Sequence, residues 1–162
     1  MGDRFAFSWH IHRGGILSSV SIGVFLILVG SIFFTTPSLV EKTLEFFKDF
    51  TLRQVPHFEI QFPAPKTPET HLTVYSAAEQ FSLIWGIFQV LMLALRFILQ
   101  SPSSKKAETA SNVVYWFGSA YLIQTMLVET TKWFEFWALV IVLAGFALIV
   151  RAIFLAITSL HH

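Results

Sequence analysis

Tyr75, Glu79, Ser82, Gly86, Gln89, Arg96 and Gln100 recur at helical spacing along one face of an otherwise apolar stretch, interrupted only by Leu93. Phenol, carboxyl, amide and guanidinium groups in such a row have the chemistry to pass an ion, a proton or a small polar solute. Hydrocarbon cannot solvate them, so the row must face the bundle interior, a second chain or a water-filled path. A weaker row of Gly118, Tyr121, Thr125 and Glu129, with Gln124 beside it, follows further on. Glu79 and Glu129 fall near one boundary of their stretches and Arg96 and Arg151 near the other, whereas proton-coupled carriers usually need a deeper acid. Gln89 is the deepest hydrogen-bonding group of the first row, and Ser119 and Gln124 are its counterparts on the second. Hydrogen bonding between helices explains them with fewer assumptions than a conduction route.

Metal, haem and nucleophile chemistry find little to work with. His10 and His12 can chelate together only from an extended segment, and no third ligand lies nearby in sequence. His57, Glu59 and His71 would need a folded loop to converge. No histidine falls inside an apolar stretch, so a haem held by two buried histidines is excluded. The chain has no cysteine, which removes disulfides, thiol catalysis and cysteine-ligated metals. No Ser or Thr sits beside a base in a recognisable grouping, and no catalytic residue, metal site or cofactor is expected. His161 and His162 read as the remnant of a purification tag and are set aside.

The elements that must carry these residues are four apolar stretches, about 15–35, 77–99, 110–128 and 134–157. Each is near the about 20 residues a helix needs to cross hydrocarbon. With 54% hydrophobic residues in 162, residues 1–162 form a single domain: an all-α membrane protein with a four-transmembrane-helix bundle. A net charge of +1 and basic residues in ones and twos give no field for nucleic acid. No A-x-A-like cleavage site follows the first stretch, so it reads as a retained helix rather than a signal peptide. The start lacks the Ser or Thr at position six that myristoylation wants. The two halves show no matching broken helices of the inverted-repeat kind.

Gly15, Ser19 and Gly23, each four residues apart, put small side chains on one stripe of the first stretch, a small-xxx-small packing face. Between the first two stretches lies an extracytoplasmic segment, 36–76. Ser38 and Glu41 have the separation of a capping box behind Pro37, so a helix should start there. Over about 39–53 Leu39, Val40, Thr43, Leu44, Phe46, Phe47 and Phe50 oppose Glu41, Lys42, Glu45, Lys48 and Asp49. This amphipathic helix is too short and charged to cross, so it should lie on the outer leaflet or cap the bundle. Residues 57–62 and 71–75 both alternate with period two around Pro63, Pro65 and Pro68, which admits a short β-hairpin; a plain extended loop is the alternative. The head Arg4 to Arg13 alternates as well, with Phe5, Phe7, Trp9 and Ile11 suited to the inner headgroup boundary. Trp133, Phe134, Phe136 and Trp137 are suited to the outer one.

Arg4, Arg13, Arg96, Lys105, Lys106 and Arg151 flank the stretches on one side, so an even number of crossings puts both termini in the cytoplasm of a plasma-membrane protein. The functional expectation is a non-enzymatic polytopic membrane protein that acts through assembly, as a homo-oligomer or as an accessory subunit of a membrane complex. Its partners are the lipid bilayer and copies of itself or other membrane subunits. The competing reading is a small channel or transporter along Glu79, Ser82, Gly86, Gln89 and Arg96. An enzyme acting on lipid would require Glu79, Glu129 and Tyr121 around one cleft.

Overall fold

The computed structural model describes residues 3–56 and 58–159, with side chains described over 17–56 and 58–158. His57, His161 and His162 therefore lie outside the described residues, and of the head through Ile16 only the backbone is described. In chain order the elements are α1 (Asp3–Thr35), α2 (Leu39–Lys48), β1 (Phe50–Gln54), β2 (Gln61–Pro65), a 3-10 turn (Pro68–His71), α3 (Leu72–Ile98), α4 (Ser103–Leu122), a π-helical turn (Ile123–Val128) and α5 (Trp133–Ser159).

Among the described residues, three helices are long and apolar enough to cross a membrane, over Leu17–Thr35, Pro68–Ile98 and Trp133–Thr158. The expected fourth, 110–128, does not meet that standard among the described residues. Its helix opens on the polar run Ser103-Ser104-Lys105-Lys106, and its apolar part passes into the π-helical turn at Ile123. The head is helical from Asp3 and continues into α1, rather than forming an extended segment.

Among the described residues, three turns between elements use a non-glycine residue at positive φ: Ser38 at 55°, Gln100 at 51° and Thr131 at 53°. At Ser38 this overturns the expected capping box. The helix does start at Leu39, but a capping side chain needs an extended backbone, and the left-handed one leaves Ser38 without a side-chain cap bond. Helix α2 also ends at Lys48, earlier than the expected 53, because the chain turns at Asp49 into β1.

A hairpin does form, but between other segments than the alternation suggested. β1 pairs antiparallel with β2 from Phe50 opposite Pro65 to Gln54 opposite Gln61, and 71–75 is spent on the end of the 3-10 turn and the start of α3. Backbone bonds from Val55 to Ile60 and from Lys66 to Asp49 set the ladder phase. Pro63 and Pro65 then fall between ladder bonds, where a missing N–H is harmless.

Two apolar clusters hold the hairpin end together. One comprises Ala64, Tyr75, Ile123, Leu127, Trp133 and Phe136; the other joins Leu28 and Ile32 of α1 to Leu39 and Ala77, with Phe81 and Trp85 alongside. Further along, α4 lies between α3 and α5 and packs through small residues, with Ala107, Thr109, Ser111, Ala120 and Ala147 all buried. The faces left over carry bare aliphatic and aromatic side chains, among them Ile141, Val142, Phe146, Ile149 and Ile153 on α5. That is the reverse of a water-soluble surface and suits acyl chains.

Candidate functional site

The polar row of α3 is sorted by depth into groups that the chain satisfies and groups that it does not. Ser82 is buried and donates to the Ala78 carbonyl at 2.8 Å. Gly86 is buried against the Phe117 ring, whose atoms stand 3.4 Å from where a Cβ would be. Arg96, near the far end, donates to the Lys105 carbonyl across the α3–α4 turn, and Lys106 sits 5.0 Å from the Phe97 ring centroid. Gln89, between these levels, is half-buried, and its amide makes no side-chain hydrogen bond to another described residue. Glu79 is likewise half-buried and outside any ion pair among the described residues.

The contacts of Gly86 with Phe117 and Arg96 with Lys105 show α3 and α4 running antiparallel, which sets Gln89 level with Val113 and Val114, within a turn of Asn112. Asn112, the only asparagine in the chain, is half-buried and also lacks a side-chain hydrogen bond among the described residues. Sequence reasoning passed over Asn112. Its signal was an isolated amide in an apolar helix, the same signal that singled out Gln89.

The second row does not meet the first. Gly118 is packed on α5, where an added Cβ would overlap the Leu143 side chain. Tyr121 is 68% exposed. Thr125 donates to the Tyr121 carbonyl at 2.9 Å, and Gln124 donates to Glu129 at 3.2 Å, so these groups are paired locally around the π-helical turn. Thr130 Oγ1 donates at 2.9 Å to the Thr125 carbonyl there. No hydrogen bond or ion pair among the described residues joins Glu79 to Tyr121 or Glu129.

On α1, no other helix of the described chain closes on the small-residue stripe at Gly23. A Cβ at Gly23 would meet nothing within 4 Å, and Ser19 is exposed; Gly15 has no described side-chain environment. Close helix approach occurs on α4 instead, where Ser111 donates to the Ala147 carbonyl of α5 at 2.7 Å. Ala107 and Ser111, four residues apart, were legible in the sequence as the same motif.

At the hairpin end Asp49 is a hub. Its Oδ2 accepts from the Thr67 backbone N–H at 2.9 Å, from the Thr67 hydroxyl at 3.1 Å and from His71 Nε2 at 3.0 Å. His71 is only 5% exposed. A carboxylate can only accept, so Nε2 carries the hydrogen. Trp133 pins the hairpin from the other side by donating to the Pro63 carbonyl at 3.0 Å. Beneath them the Tyr75 hydroxyl is buried without a hydrogen-bond partner among the described residues. Of His57, Glu59 and His71, the first lies outside the described residues, His71 joins this hub and Glu59 lies on the exposed hairpin turn; among the described residues no cluster suits a metal ion.

The Thr67 N–H first, and His71 second, hold the Asp49 carboxyl down at about 2. A carboxyl depressed in the folded state adds stability that is complete above its unfolded value of about 3.9 and is lost as pH falls toward the folded value. Between about pH 4 and about pH 2, thermal melts of Asp49→Asn should therefore show a flatter acid limb than wild type. Parallel limbs would mean that the carboxylate is not held as described.

The described chain is mostly helical, with one two-stranded antiparallel sheet and three helices long and apolar enough to cross a membrane. No protein-family model matches the chain, and no curated protein or solved structure is similar to it.

Proposed function

We propose that the chain is a non-enzymatic membrane protein that crosses the bilayer four times and acts through assembly, with copies of itself or as an accessory subunit of a larger membrane complex. The observation that carries this reading is the unpartnered amide of Gln89 midway along an apolar helix. Hydrocarbon offers it no hydrogen bonds, and the described chain offers none either, so a neighbouring chain is the natural source. Asn112, within a turn of that level and also without a side-chain hydrogen bond among the described residues, strengthens the argument.

The fourth crossing is supported by length and direction. α4 and the π-helical turn, of 20 and 6 residues, run back along α3, of 27 residues, from Lys105 beside Arg96 to Leu127 beside Tyr75. If α3 spans about 40 Å at 1.5 Å per residue, the chain that returns beside it spans the same slab. Four crossings leave both termini on the side of Arg96 and Lys105, taken as the cytoplasmic face of the plasma membrane.

A small channel or transporter along α3 finds less support, because Phe117 occupies the space beside Gly86 in the middle of that row. Flux across liposomes, unchanged by Gln89→Leu and Glu79→Gln, would count against it further.

The test of assembly is the mass of the protein in mild detergent, with native-membrane pull-down for foreign subunits. An interhelical amide bond contributes about 0.6 to 1.7 kcal/mol, so Gln89→Leu should weaken association about 3- to 20-fold. A strictly monomeric wild type that also retains no partner would defeat the reading.

A further inference from the structure

The structure assigns a second contact surface to α2: one flank packs on the bundle, and the adjacent flank is a lipid-embedded edge. Leu39 is buried and Phe46 packs against the hairpin-end core. Val40, Leu44 and Phe47 are each more than half exposed, and at 100° per residue they lie within about 60° of one another. Glu41, Glu45 and Lys48 take the remaining arc, with Lys42 reaching Glu45 at 3.0 Å.

A helix with only an inward apolar face would be a cap sitting in water. Here the apolar arc is wider than the bundle covers, and the uncovered part is a continuous stripe, not scattered residues. That stripe adjoins the bare end of α1, where Phe34 is 92% exposed and Phe33 is also bare. Since Leu17–Thr35 is apolar enough to be surrounded by acyl chains, the stripe extends an acyl-facing surface that ends at the same level. A helix lying in the membrane plane with its charges toward water satisfies all three arcs at once. The occupant is therefore lipid of the leaflet on the hairpin side. Two acids and two lysines cancel along α2, so the headgroup need carry no net charge.

The absence of cysteine makes the test direct. Single cysteines at positions 40, 44 and 47, and separately at 41, 45 and 48, are spin-labelled in the full chain reconstituted in phosphatidylcholine vesicles. Collision with oxygen, which concentrates among acyl chains, is compared with collision with a water-soluble nickel chelate. Labels at 40, 44 and 47 should favour oxygen several-fold and those at 41, 45 and 48 should favour nickel, with no change when phosphatidylglycerol is added. Nickel access at 40, 44 and 47 would overturn the proposal in favour of an aqueous face. Exclusion of both reagents there would overturn it in favour of coverage by another protein chain.

Discussion

Trp133→Ala should cost about 3 to 5 kcal/mol of stability, the range for emptying a buried aromatic site. The indole is the point where three separate segments meet. Its ring lies 5.6 to 6.0 Å from Phe50, Phe46 and Trp137 by centroid, and its Nε1–H is the donor that ties Pro63 of β2 to the start of α5. Removing it leaves the Pro63 carbonyl without that partner and opens a void among rings that have no other way to close. A two-stranded hairpin has little stability of its own, so the hairpin should detach before the helices separate. Protease cleavage in 55–60 should then precede global unfolding in the variant and coincide with it in wild type. Trp133→Phe separates the two contributions: it keeps most of the packing and loses only the hydrogen bond, for about 1 kcal/mol. A Trp133→Ala protein that melts with wild type would show that the hairpin end is held by something other than this indole.

Gly118→Ile should be the most damaging change in the helix interfaces, at about 1 to 3 kcal/mol from overpacking. Even a single Cβ at this position overlaps the Leu143 side chain. A branched side chain must either turn Leu143 out or push α4 from α5, which would also stretch the bond from Ser111 to the Ala147 carbonyl. Coupling gives the check. With Leu143→Ala added, part of the loss should return, so the double variant is less destabilised than the sum of the single ones. Unfolding in graded detergent denaturant measures all three, and additive effects would mean that the two residues do not touch. Gly23 is the control: a Cβ there meets nothing within 4 Å, so Gly23→Ala should cost no packing and leave stability unchanged or raised by up to about 1 kcal/mol through helix propensity.

Apolar runs of sufficient length and the Lys and Arg beside them were legible in the sequence because they depend on composition within one segment. So were the helix starting at Leu39 and its charged face, which follow from local periodicity. The hairpin shows where that logic stops. Residues 57–62 and 71–75 alternate convincingly, yet β2 pairs with 50–54, of which local periodicity assigns 50–53 to the end of α2. A two-residue period marks a segment able to extend but not its mate. The mate was chosen by the Asp49 hub, which holds Thr67 and His71 and brings the chain back onto β1.

The same distinction runs through the candidate site. Composition and spacing by themselves determined that a polar face on α3 is poorly suited to hydrocarbon, because an unpaired hydrogen-bonding group is costly there whichever helix carries it. Which of its members find partners was decided only by tertiary structure. Phe117 comes to Gly86, the Lys105 carbonyl comes to Arg96, and no described group comes to Gln89, since a helix face has no neighbours until another helix crosses it. The small stripe of α1 and that of α4 look alike in one dimension. The turn at Gln100 and the one at Thr131, which lay α4 between α3 and α5, make the second a packing surface, while Gly23 of the first meets no other helix of the described chain.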